Sequence, residues 1–90
     1  MPILQIPPAL RYYVDNQRDL EISAASVNDL LTELVGRYPT LGFHLLDTEG
    51  ELRRHFSVFV NGEHIRELKG LDIVLKPEDR VLLLASAAGG

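Results

Sequence analysis

Two glycines, Gly89 and Gly90, end the chain after the small residues Ala87 and Ala88 and an apolar run, Val81 to Ala85. Glycine lacks a Cβ, so its backbone reaches nearly any φ/ψ and passes where a side chain would collide. A terminus of this type threads a narrow channel and offers its own α-carboxylate to another protein's active site. The chemistry expected is activation of the main chain at Gly90, with Gly89, Ala88 and Ala87 presenting it. The plain alternative is a frayed end of small residues, which many domains have.

Other reactive side chains are sparse. There is no cysteine, which excludes disulfides, zinc–thiolate sites, a cysteine nucleophile and sulfur carried on a side-chain thiol. His44, His55 and His64 fall on separate expected elements without ligand spacing, so no metal site is expected. Glu49 with Glu51, and Glu78 with Asp79, are carboxylate pairs in turns; acid–base hydrolysis by such pairs would need a cleft. Arg53-Arg54-His55 is a short basic run ahead of a strand, either a solvated face or a docking point for an acidic partner. No phosphate loop or nucleophile elbow is present, and no catalytic residue is assigned.

The bulk properties bound the setting. Ninety residues with 46% hydrophobic and 24% charged content describe one ordinary globular domain with a modest core. A net charge of −4 argues against nucleic-acid binding, which needs a basic face. No signal peptide is recognisable and no apolar run approaches membrane-spanning length, so a cytoplasmic protein without a membrane partner is expected.

The elements that must position the tail follow from periodicity. Met1 to Ile6 reads as a short strand interrupted by Pro7-Pro8, with Leu10 to Val14 continuing the same edge. Asp15 to Arg18 is turn chemistry. Asp19 to Ser23 alternates as a half-buried strand and closes a hairpin. Val27, Leu30, Leu31, Leu34 and Val35 form one helical stripe behind Ser26 as N-cap, and Tyr38-Pro39 closes that helix. Leu41, Leu45 and Leu46 are compatible with a further helical turn. Phe56 to Val60 alternates as a strand, Asn61-Gly62 is a hairpin turn, and Glu63 to Ile65 begins the return. Lys76 to Asp79 is a polar turn. Arg80 to Ala85 is a final strand, and its unbroken apolar run predicts a central strand covered on both faces. The order strand, strand, helix, strand, short strand, strand predicts an α+β fold of β-grasp type. The last strand lies parallel to the first in a mixed sheet, with one main helix across one face. The expected division is a domain over 1–86 and a flexible tail over 87–90.

The pattern Phe59-Val60-Asn61-Gly62-Glu63-His64-Ile65, then Gly70-Leu71-Asp72, then Leu75 to Val81, then Ala85 to Gly90, resembles the ThiS/MoaD family of ubiquitin-like sulfur carriers. Ile6-Pro7-Pro8-Ala9-Leu10-Arg11 is similar to its longer members, the molybdopterin synthase small subunits and CysO-type carriers. The uniformly small stretch Ala85-Ser86-Ala87-Ala88 departs from the bulkier tails common in the family. The resemblance implies a protein cosubstrate and not an enzyme. Gly90 is adenylated by an E1-like adenylyltransferase of MoeB/ThiF type. ATP is used by that partner, and no cofactor is bound by the carrier. The resulting thiocarboxylate passes sulfur to a second enzyme. That enzyme is a cysteine-synthase-like PLP enzyme in cysteine biosynthesis or a molybdopterin synthase large subunit in molybdenum cofactor biosynthesis, with the first favoured. Arg11 is a candidate for facing the activating enzyme. A ubiquitin-like protein modifier, joined to lysines through the same terminus, is the alternative of a different class.

Overall fold

The computed structural model describes residues 1–65 and 70–85. Five strands form one sheet: β1 (Ile3–Gln5), β2 (Asp19–Glu21), β3 (Phe56–Val60), β4 (Glu63–His64) and β5 (Arg80–Ala85). Their order across the sheet is β2-β1-β5-β3-β4. β1 and β5 run parallel, and every other neighbouring pair is antiparallel. Two α-helices, α1 (Val27–Arg37) and α2 (Pro39–Leu45), complete a β-grasp fold. The sheet order puts β5 in the centre, between the first strand and the third, as its apolar run predicts.

Helix α1 begins where its chemistry dictates. The Ser26 hydroxyl accepts a hydrogen bond from the Asp29 amide at 3.1 Å, and Asp29 lies in the positive first turn. Val27, Leu30, Leu31 and Leu34 are buried and share one core cluster with Leu4, Ile6, Val58, Val81 and Leu83. The helix stops at Arg37, before Pro39, which then serves as the first residue of α2. Leu41 and Leu45, one turn apart, bury the inner side of α2. The two helices approach closely at Gly42: a Cβ built there would lie 2.7 Å from Cγ1 of Val35.

Two details differ from the pattern read in the sequence. Pro8–Val14 is a 3-10 helix and not a continued edge strand. Pro7 is extended and Pro8 opens the helix, where a missing amide costs nothing. The Arg11 guanidinium then donates through Nε to the Ile6 carbonyl at 3.0 Å, closing the segment on itself. Leu10 and Val14 reach the core from this helix, four residues apart, where a strand would have turned them to the same side by alternation. The second difference is in β5. Val81 and Leu83 are buried, but Leu82 is only half-buried and Leu84 is 42% exposed. The strand is central in the sheet, yet its second face is open.

Candidate functional site

The candidate site is the end of β5 and what surrounds it. Ala85, the last described residue, pairs with Phe56 at the start of β3. The expected reactive and presenting residues, Gly90, Gly89, Ala88 and Ala87, lie outside the described residues, as does the domain boundary expected after Ser86. What the structure gives is the base from which they leave: a strand held on both sides, by β1 and by β3.

Register holds that base. Arg80, Val81 and Leu82 pair with Ile3, Leu4 and Gln5, and Val81 to Ala85 pair with Val60 back to Phe56. At the strand's start, the Asn61 side chain spans two turns. Its Nδ2 donates to Asp79 Oδ1 at 2.9 Å, and its Oδ1 accepts from the Arg80 amide at 3.0 Å. Asp79 Oδ2 accepts from the Lys76 amide at 2.8 Å. Asp79 is 9% exposed. The Lys76 amide, and then the Asn61 amide, hold its carboxyl below the usual carboxylate value against the opposing effect of burial. The Asp79 carbonyl accepts from the Ile3 amide at 3.1 Å, so the same residue reaches β1. Asn61 adopts φ of 51°, a conformation that asparagine tolerates. The carboxylate read in the sequence as turn chemistry is therefore a buried tie between β1, β3 and β5.

The open face of the sheet gives the tail's base an apolar floor. Leu82 pairs with Gln5 on one side and Phe59 on the other, and Phe59 pairs with His64, so these side chains form one row across the face. The Phe59 and His64 rings meet edge to face with centroids 5.0 Å apart. Leu84, opposite Ser57, lies one step nearer the tail. This face was not legible as a site, because an apolar run in a central strand equally describes two covered faces. The alternation of buried and half-buried residues in β3 is the matching signal, since Ser57 and Phe59 share the side of Leu84 and Leu82.

Other singled-out residues are dispersed. His44 stacks on Tyr13, with centroids 4.4 Å apart, at the packing of α2 on the 3-10 helix. His55 lies over Phe56 at 4.3 Å. Among the described residues no group of three histidine, aspartate or glutamate side chains is placed to hold a metal ion, and no helix is long and apolar enough to cross a membrane. Asp47 Oδ1 accepts from the amides of Glu49 and Glu51 at 2.9 and 3.0 Å, which makes that carboxylate a loop anchor and draws its proton affinity down.

Comparison with known proteins agrees with this arrangement. The model of the ThiS family matches residues 5–90. The sulfur carrier protein CysO of Mycobacterium tuberculosis is 28% identical over 89 residues, covering 97% of this chain and 96% of its own length. A chain of the Amycolatopsis orientalis BexX/CysO complex superposes with a TM-score of 0.87 at 28% identity, over the whole of both chains. Small archaeal modifier protein 1 of Methanosarcina acetivorans superposes equally well, with a TM-score of 0.87 at 27% identity, over 99% of this chain and 95% of the other.

Proposed function

The chain belongs to the ThiS family, and we propose that it is a sulfur carrier whose reactive group is the carboxylate of Gly90. The observation that carries this reading is the extent of the family match, which runs from residue 5 through Gly90 and so includes the Gly-Gly end. The likeness to CysO over nearly the full length of both proteins supports it.

The chemistry is carboxylate activation followed by sulfur transfer. A carboxylate is a poor electrophile at neutral pH. A Gly90 oxygen attacks the α-phosphorus of ATP, pyrophosphate leaves, and the acyl-adenylate forms on an E1-like adenylyltransferase. A sulfide-level donor then attacks the acyl carbon and AMP leaves, so that sulfur replaces one oxygen of Gly90. The thiocarboxylate sulfur serves as nucleophile on a second enzyme, in the synthesis of cysteine or a related sulfur metabolite. The carrier supplies position and no acid–base catalysis, and it works in the cytoplasm with no resident cofactor. Gly89 and Gly90 suit a channel whose walls would meet any Cβ. The open face with Leu82, Leu84 and Phe59 gives the partner an apolar surface to seat against while the tail is inserted. That CysO of Amycolatopsis orientalis is found in complex with BexX supports a working state bound to a partner protein.

A second reading is protein modification, in which a lysine amine displaces AMP from the same adenylate and forms an isopeptide bond. The likeness to a small archaeal modifier protein favours it. Intact mass separates the two. After incubation with the host's E1-like enzyme, ATP and sulfide, the carrier gains the difference between a sulfur and an oxygen atom. If the only products are Gly90–lysine conjugates, the modifier reading replaces the carrier reading.

A further inference from the structure

The basic run Arg53-Arg54-His55 has no part in the chemistry above, yet the sheet register gives it a defined place. β3 starts at Phe56 and β5 ends at Ala85, and these two residues are paired in antiparallel register. Residues 53–55 therefore leave the sheet at the end where the tail leaves it. We propose that Arg54 and His55 form a docking point at the foot of the tail for an acidic rim around the channel of the enzyme that activates Gly90. The proposal rests on the carrier reading and adds to it the charge of the partner's surface.

The turn is built to hold these two side chains outward. The Arg53 amide donates to the Leu45 carbonyl at 3.0 Å, and the Phe56 amide donates back to the Arg53 carbonyl at 3.1 Å. The Arg53 guanidinium donates through Nη2 to the Phe43 carbonyl at 3.3 Å and lies near enough to Asp47 to lower that carboxyl's proton affinity. Arg53 is thus committed to the end of α2. Arg54 and His55 remain exposed. The His55 ring lies on Phe56, the residue paired with the foot of the tail. Among the described residues the only ion pair is Arg18 with Asp19, so Arg54 has no carboxylate partner among them.

Charge complementarity commits the occupant. The whole chain carries a net charge of −4, so an exposed cation next to the end of β5 stands against the protein's own balance. Charges at the rim of an interface act mainly on encounter rate and orientation. Their influence extends about 10 Å at ordinary salt, which confines this one to the foot of the tail. An acidic protein surface at the channel mouth satisfies it. The protein's own terminal carboxylate, folded back onto Arg54, is the competing occupant and predicts the opposite effect of charge reversal.

The test is ATP–pyrophosphate exchange by the host's E1-like adenylyltransferase with the full chain as substrate. Arg54→Glu raises KM roughly tenfold, leaves kcat unchanged and weakens the dependence of KM on salt. Arg54→Gln gives a smaller rise and Arg54→Lys restores the wild-type value. Lys76→Glu, a charge reversal at the opposite end of β5, leaves KM near wild type. Thermal unfolding of each variant confirms that the fold is kept at the assay temperature. An unchanged KM for Arg54→Glu overturns the proposal, as does a lowered KM, which would assign Arg54 to restraint of the tail. An absence of exchange with the wild-type chain would instead overturn the carrier reading and this proposal with it.

Discussion

Asn61 Nδ2 donates to Asp79 Oδ1 at 2.9 Å across 18 residues of sequence, and this one bond joins the β3–β4 turn to the turn that launches β5. The same asparagine accepts from the Arg80 amide, and the same aspartate accepts from the Lys76 amide. Both ends of the bond are thereby fixed by backbone, and β5 enters the sheet in one register. Since β5 runs from this latch to Ala85, the last described residue, the latch sets where that end of the strand lies.

Asn61→Ala removes the donor to Asp79 and the acceptor for Arg80 together, and it places alanine at positive φ. A hydrogen bond to a charged group contributes about 1.5–3 kcal/mol, so a loss of about 2–3 kcal/mol is expected in urea unfolding. Asn61→Gly keeps the backbone conformation and loses only the side-chain bonds, so it falls between the two. Equal stability of all three proteins would mean that the latch is not a tie.

The Asp79 carboxyl titrates below the usual value of 3.8, chiefly because the Lys76 amide and then Asn61 stabilise its charged form. A folded value below the unfolded one gives stability that is present above the unfolded value and lost as pH falls through the folded one. Wild-type stability therefore declines as pH drops below about 3.8, and the decline is shallower in Asp79→Asn. Asp47, held by the Glu49 and Glu51 amides, acts in the same direction and window. Chemical unfolding between neutral pH and pH values below the carboxylate range reads both effects. A decline as steep in Asp79→Asn as in wild type would remove Asp79 from this account.

Leu34 is fully buried on the inner stripe of α1. Replacing it with alanine costs roughly 2–5 kcal/mol, the range for a leucine deleted from a close-packed core. A cost well under that range would show that the stripe does not pack against the sheet.

Gly42→Ala tests the contact between the helices. Alanine favours a helix over glycine by about 1 kcal/mol, but its Cβ would lie 2.7 Å from Cγ1 of Val35, a β-branched side chain with little rotamer freedom in a helix. Overpacking of this kind costs about 1–3 kcal/mol, so the variant is expected to be net destabilised. A more stable Gly42→Ala would show that α2 shifts freely on α1.

The parts of this fold that were legible in the sequence are those set by local chemistry. The α1 stripe, its Ser26 cap, the Asn61-Gly62 turn and the apolar run of β5 each declare themselves within a few residues. The segment after Pro7 misled because Leu10 and Val14 are compatible with either a strand or a short helix, and the choice is made by the core they must reach. The open face of β5 was hidden for a related reason: what covers a strand is decided by other elements. The Asn61–Asp79 bond was illegible because neither residue is unusual in a turn, and their meeting depends on the register of two strands. The position of Arg54 next to the end of β5 comes from that register too.

The central claim is that the reactive group is the carboxylate of Gly90. Its most direct test is the intact mass of the wild-type chain and of the chain lacking Gly90, each incubated with the host's E1-like enzyme, ATP and sulfide. One extended residue spans about 3.3–3.6 Å, and a misplacement of about 1 Å can cost on the order of a hundredfold in rate. The wild-type chain is therefore predicted to gain the sulfur-for-oxygen mass difference while the shortened chain, equally stable to unfolding, gains nothing. Conversion of the shortened chain at the wild-type rate would contradict the account.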